Sequence, residues 1–431
     1  MDVMTIAIPL FFVLLLAGIP IAFALGITAT ALFLALDQAA FFTLVPQRMF
    51  AALNIFTIMA IPFFFMAAEL MTVARITEDL IRFSEVVVGR IRGGLAHVNV
   101  LASALFAGMS GSAISDVAGL GAIEIKMMTA AGYDRRFATA ITIASSLIGP
   151  MIPPSIIILL YGAIMQVSIA ALFLGGFLPG ILMAAMLMAM TALMARKYDM
   201  PRRSKRVTPR EALTATRNAL LALLMPAIIL GGILSGVFTA TEAAAVAVLY
   251  ALLIGLFVKR TLKIRDIPGI LARTAVLTSV VFMVLATSNI LGWIIGLERV
   301  PERIADFLTA LTDNPYLLLL LVNVCLLVVG MFMDIGAALI VMAPILAPTV
   351  IALGVHPVHF GIVMSLNLVL GLNTPPVGPC LFAATSISGL RIEQISIALL
   401  PFYLVQLLFL GLITYFPPLT LTLPRLFGYI Q

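Results

Sequence analysis

Two stretches decide the reading of this chain: Gly149-Pro150-Met151-Ile152-Pro153-Pro154-Ser155 and Gly371-Leu372-Asn373-Thr374-Pro375-Pro376-Val377-Gly378. Each sits between apolar runs, and the two double prolines are 222 positions apart (375 minus 153). Proline has no backbone N–H, and its ring clashes with the preceding helical turn. A helix that reaches a double proline must therefore stop there. The break releases carbonyls on one side, which suit a cation, and N–H groups on the other, which suit an anion.

The same spacing recurs elsewhere. Gly108-Met109 returns as Gly330-Met331, Gly132 as Gly354 and Gly149 as Gly371. One such match is ordinary in a chain with 31 glycines and 24 prolines, but several in one ungapped register mark an internal repeat. Between the copies lies the long basic stretch Arg196-Lys197-Tyr198-Asp199-Met200-Pro201-Arg202-Arg203-Ser204-Lys205-Arg206. We read 196–211 as a cytoplasmic linker between a first repeat, 1–195, and a second, 212–431.

Composition places these repeats in a membrane. Soluble domains carry about 25% charged residues; this chain has 10%, with 63% hydrophobic. Apolar runs of about 20 residues, enough to cross a hydrocarbon core of roughly 30 Å, recur throughout. In lipid every backbone group must be satisfied internally, so helices are expected. The alternation of an outer-membrane barrel is absent. The first apolar stretch, Met4 to Leu36, lacks a basic leader and does not read as a removable signal peptide. Cys325 and Cys380 lie in apolar surroundings and suggest neither a disulfide framework nor a metal site. His97, His356 and His359 are scattered, and Pro357 sits between the last two. The net charge of +6 reports topology rather than nucleic-acid binding.

The expected fold is an all-α polytopic membrane protein of two inverted repeats. Each repeat holds three spans, a surface arm (75–92, 298–313), a re-entrant helical hairpin (about 95–131, about 315–353), a broken helix (about 137–166, about 358–388) and a last span. Apolar runs over 49–73 and 274–297 are read as single segments. Five crossings per half turn the second repeat over. With the N-terminus outside, all 25 Lys and Arg except Arg48, Arg299, Arg303 and Arg425 fall inside, as the positive-inside rule requires.

The hairpin tips are Gly108-Met109-Ser110-Gly111-Ser112-Ala113-Ile114-Ser115-Asp116 and Gly330-Met331-Phe332-Met333-Asp334-Ile335-Gly336. Broken helices at matching places in two halves point to a carrier site near the bilayer midplane. Their oxygen-rich side chains suit Na+. We expect one Na+ site from Ser110, Ser112, Ser115 and Asp116 with carbonyls near Gly149 and Pro153. A second would use Met333, Asp334, Gly371 and Thr374. An ionisable group at membrane depth is expensive and marks function; the competing role for Asp116 and Asp334 is capping. The anion should meet Ser112, Pro154, Ser155, Asn373, Thr374, Pro376 and Gly378. Ser155 and Asn373 are the candidates for direct hydrogen bonds, with helix capping as the alternative. No Arg or Lys lies in these four loops, so the charge opposing an anion must come from Na+ and helix N-termini. Glu242, in Thr239-Ala240-Thr241-Glu242, reads as a helix cap. Glu69 has no assignable role.

At Gly108 to Gly121, Gly132-Tyr133, Ile152-Pro153-Pro154-Ser155, Tyr161-Gly162, Gly236-Val237-Phe238-Thr239-Ala240-Thr241-Glu242-Ala243-Ala244-Ala245 and Asn373-Thr374-Pro375-Pro376-Val377-Gly378, the chain resembles the large membrane subunit of tripartite ATP-independent periplasmic (TRAP) transporters. The family often has Pro where this chain has Ala240. The resemblance implies an elevator-type ion transporter fold in the bacterial inner membrane. It implies Na+-coupled symport of a small carboxylate, such as a C4-dicarboxylate or sialic acid, with two or more Na+ as coupling ions. It also implies two partners, a small four-helix membrane subunit and a periplasmic substrate-binding protein. No Walker-type loop is present, in keeping with ATP independence. No four-helix region precedes Met1, so the small subunit is expected as a separate chain.

Three other readings compete. A self-sufficient dicarboxylate or citrate symporter would use the same proline pair. An intramembrane enzyme would need a nucleophile beside a base, and no such arrangement occurs in the apolar runs. A structural scaffold leaves the paired breaks unexplained.

Overall fold

The computed structural model describes residues 3–36, 39–197, 200–202, 207–299, 303, 306, 314–333, 335–375 and 378–430. Among them there is no strand. Helices α1 (Val3–Leu16), α2 (Ile21–Ala35), α3 (Val45–Leu53), α4 (Ala60–Val73) and α5 (Ile76–Val88) lead to the first hairpin. That hairpin comprises α6 (Gly94–Ser110), a short α7 (Ala113–Asp116), a π turn (Val117–Gly121) and α8 (Ala122–Ala130). The first broken helix is α9 (Arg135–Ser146) and α10 (Ile156–Met165), and α11 (Ile169–Lys197) closes the half.

The second half begins with α12 (Pro209–Leu234), α13 (Ala240–Leu253) and α14 (Ile267–Leu297). Its hairpin is α15 (Pro315–Phe332) and α16 (Ile335–Ala352), and its broken helix is α17 (Pro357–Gly371) and α18 (Pro379–Ser388). Helices α19 (Ile392–Tyr415) and α20 (Pro418–Leu426) end the chain. Among the described residues seven helices are long and apolar enough to cross a membrane. The pieces of the two broken helices are shorter, because the prolines cut them.

Two of the apolar runs resolve differently from their sequence reading. The run over 49–73 is not one segment: α3 ends at Asn54, and a 3-10 turn over Phe56–Met59 precedes α4. Helix α14 starts earlier than the apolar run, at Ile267, because Pro268 fits a first helical turn, where its missing N–H has no intrahelical partner to lose. The 298–313 arm lies mostly outside the described residues.

The repeat is visible in local geometry. Gly132 and Gly354 both have φ of +88°, a conformation that glycine adopts without a Cβ penalty. In each turn the next N–H reaches back five residues, Tyr133 to Met128 O (3.1 Å) and Val355 to Val350 O (3.4 Å). Asp134 then caps α9 and His356 caps α17, again 222 apart (356 minus 134). Further along the two broken helices, Ser145 Oγ donates to Asn99 Oδ1 (2.7 Å), and at the matching position Asn367 Nδ2 donates to Asn323 Oδ1 (2.9 Å). Each broken helix is thus tied to its own hairpin by a buried polar bond.

The helices form two groups that also pack on one another, α4, α5 and α12 on α6 and α14 on α16. One is α1–α5 with α12–α14, where α2, α3 and α4 pack on α14, α4 on α13, and α5 on α12. The other holds both hairpins and both broken helices, with α9 against α19, α10 against α16 and α11 against α20. Within the first group Asp79 is buried, forms an ion pair with Lys259 and accepts from Asn218 Nδ2 (3.4 Å). Removing one partner of a buried ion pair strands the other, at about 3–5 kcal/mol. Asp79→Ala should lower the thermal stability of the purified protein clearly more than a change at exposed Glu78 does.

Candidate functional site

The first hairpin turns at Gly111, where φ is +56°. A Cβ there would lie 3.0 Å from Pro154 O, so glycine lets the tip lie against the broken-helix loop. Ser112 caps α7 by accepting the Ser115 N–H at 3.4 Å. Asp116 is 2% exposed, and its Oδ2 would lie 2.5 Å from a Cβ built on Gly149. The carboxylate therefore rests on the glycine of the first break, which brings two of the predicted cation ligands together. Pro153 O lies 3.5 Å from the position of a Cβ on Gly108, so the proline loop also runs along the end of α6.

A helix end leaves its last four carbonyls without intrahelical partners. Those of α9 are all accounted for. Ile143 O accepts from Asn373 Nδ2 (2.9 Å) and Ala144 O from Gln406 Nε2 (2.9 Å). Ser145 O accepts from Ile148 N (3.0 Å) and Ser146 O from Gly149 N (3.1 Å). Two of these four donors come from the other half of the chain, so the first break is held open by the second repeat.

Ser155 is buried, caps α10 at Ile158 N (3.3 Å) and donates to Pro150 O. Of its two expected roles the structure displays the cap. Asn373 is wholly buried, and its Oδ1 has no hydrogen-bond partner. Thr374 is half-buried; its hydroxyl bonds Leu370 O at 2.9 Å and lies 2.8 Å from the Tyr403 hydroxyl. At Gly378 (φ +35°) a Cβ would lie 2.9 Å from Leu372 O and 3.0 Å from Thr374 O, so the loop curls tightly on itself. Met333 ends α15 in an extended conformation, 2% exposed. Gly371 packs backbone to backbone on Gly330: a Cβ on Gly371 would sit 2.4 Å from Gly330 C. Asp334 and Pro376 lie outside the described residues, as does the Ser110 side chain.

A cavity of about 680 Å³ opens between the two packing groups. One wall is the hairpin tips and breaks: Ser112, Ser115, Pro150, Ile156, Gly336 and Leu372. The other is α4, the start of α5 and α14, with Glu69, Thr72, Arg75, Glu78 and Val280. Asp116, Ser155, Asn373 and Thr374 lie behind the first wall rather than on it. The four loops bring no cation to the cavity, but Arg75 faces it from across. Glu69, unassigned from sequence, accepts from Arg273 Nε at 2.9 Å. Sequence reasoning also missed Asn99, Ser145, Gln406 and Tyr403. An amide or hydroxyl within an apolar helix was the available signal, but its partner lies on another helix.

Glu242 behaves as read: with Thr239 it forms a reciprocal cap at the start of α13.

Paired hairpins and paired broken helices around one cavity define a membrane-embedded transporter. The chain belongs to the family described as "Tripartite ATP-independent periplasmic transporter, DctM component", which matches residues 8–419. It is 42% identical to the sialic acid TRAP transporter large permease protein SiaM of Vibrio cholerae over 97% of this chain and 98% of that one. It is 39% identical to the C4-dicarboxylate TRAP transporter large permease protein DctM of Pseudomonas aeruginosa, over 88% and 89%. Among solved structures, the Alcanivorax borkumensis YdaH transporter shares its fold, with a TM-score of 0.58 at 15% identity, covering 88% of each chain.

Proposed function

We propose that this chain moves a small organic acid together with Na+ across the bacterial inner membrane. It would act as the large carrier subunit beside a small four-helix membrane subunit and a periplasmic binding protein. The observation that carries this reading is the cavity: one wall is built from hairpin tips and helix breaks, and the other from α4, the start of α5 and α14. Sliding the first group past the second, as an elevator, would carry a seated anion across. The N-terminus is taken as periplasmic, which puts the basic regions inside.

The first Na+ is assigned to Asp116 with loop carbonyls from Gly149 onward, since those of α9 are already bonded. The second is assigned to the Met333–Asp334 tip with Gly371 and Thr374; the orphaned Asn373 Oδ1 is a further oxygen for it. The anion sits by Ser112 and Ser115, near the start of α10. Bound Na+ supplies the positive charge that the four loops lack, so the anion binds only after the cation.

Vesicles containing the carrier, its small subunit and its binding protein test this, with sialic acid and succinate as probes. Uptake of one of them should stop when external Na+ is replaced by choline. Uptake that continues unchanged in choline removes Na+ coupling. Substrate seen on Arg75 alone, away from the hairpin tip, removes the proposed anion seat.

A further inference from the structure

Glu124 stands out among the buried acids. It is 0% exposed, and neither of its carboxylate oxygens has a hydrogen-bond partner. It lies on α8, the return arm of the first hairpin, eight residues past Asp116 (124 minus 116). Helix α8 packs against α6, α9, α18 and the π turn. The fit is close: a Cβ on Gly121 of that turn would lie 2.5 Å from Thr142 Cγ2 on α9.

The titratable groups on these elements offer Glu124 no counter-charge. Helix α6 carries His97, buried with neither ring nitrogen hydrogen-bonded. Helix α9 carries Arg135 and Arg136 at its exposed start, beside the exposed cap Asp134. Helix α18 carries the buried Cys380, and the Lys126 of α8 itself is exposed. The charged group that acts on Glu124 is Asp116, and its sign is the same. An ionised carboxylate in such a place has lost its water and gained neither a hydrogen bond nor a cation, so it takes up a proton instead.

We propose that Glu124 is a proton-binding site and that the first hairpin packs as described only while that proton is bound. The step is simple: the carboxylate takes one proton from water to become the neutral acid, and no other bond changes. The sign follows. The stability that the proton confers is present at low pH and is lost as pH rises through the site's midpoint, the ratio of protonated to ionised sites falling about tenfold per pH unit. The hairpin that carries Ser112 and Asp116 would then be loosened by alkali.

The test uses the full-length protein in phospholipid nanodiscs and needs no substrate, so it stands whether or not the transport reading does. Infrared difference spectra between neutral and alkaline pH should show the wild type losing the C=O band of a buried protonated carboxylic acid. Glu124→Gln should show no such loss. In parallel, the wild-type unfolding temperature should fall with alkali, and that fall should be smaller in Glu124→Gln. Glu124→Met, also neutral and of similar volume, serves if the amide does not fold. A wild type without the band at neutral pH overturns the proposal even without a variant. So does a band that persists in Glu124→Gln, or an alkaline loss of stability equal in variant and wild type. A Na+-neutralised Glu124 would give an ionised-carboxylate band and would also overturn it.

Discussion

Asp116→Asn should raise the Na+ concentration needed for half-maximal uptake by about tenfold to a hundredfold, the range seen when groups that support a bound metal are removed. The amide keeps the size of the side chain and its place over Gly149, but it loses the negative charge. Asp116 is buried, and its Oδ2 rests against the first helix break. A charged oxygen in a low-dielectric place attracts a cation far more strongly than it does in water. Ser112→Ala should shift the Na+ dependence less, because the serine hydroxyl is neutral and caps α7. The assay is initial uptake in vesicles over a Na+ series. A Na+ response in Asp116→Asn equal to that of the wild type would take Asp116 out of the cation site and leave the fold untouched.

Gly371→Ala should abolish uptake and lower the unfolding temperature of the purified carrier. Its new methyl would meet Gly330 C, Cα and O at 2.4, 2.6 and 2.8 Å. All three are backbone atoms, so no side chain can turn aside. The second hairpin must move away from the second broken helix, and overpacking of this kind costs about 1–3 kcal/mol, sometimes more. Gly231→Ala is the control, since nothing lies within 4 Å of a Cβ there. If Gly371→Ala transports normally while folded, close contact between hairpin and broken helix is not needed for function.

Much of the site could be read from residues because the signals are local. A double proline breaks a helix whatever surrounds it, so the ends of α9 and α17 and the starts of α10 and α18 follow from covalent chemistry. The Gly132 and Gly354 turns follow likewise, since a positive φ selects glycine. Glu242 could be assigned because its partner, Thr239, is three residues away. Glu69 could not, because Arg273 is distant in sequence and the ion pair exists only once α4 packs on α14.

The sequence by itself determined that this chain lives in a membrane, that it repeats, and where the two double prolines break its helices. These depend on hydrophobicity, on a spacing of 222 and on proline's missing N–H, all of which are properties of neighbours along the chain. Only the tertiary structure decided what fills the breaks. Asn373 and Gln406 reach across from the second repeat to the end carbonyls of α9. It also decided that Asp116 lies over Gly149, and that Glu124 is buried with neither carboxylate oxygen hydrogen-bonded. Such pairings depend on which helices pack together and at what rotation. A buried polar atom takes the partner that packing brings to it, and sequence spacing alone does not specify that partner.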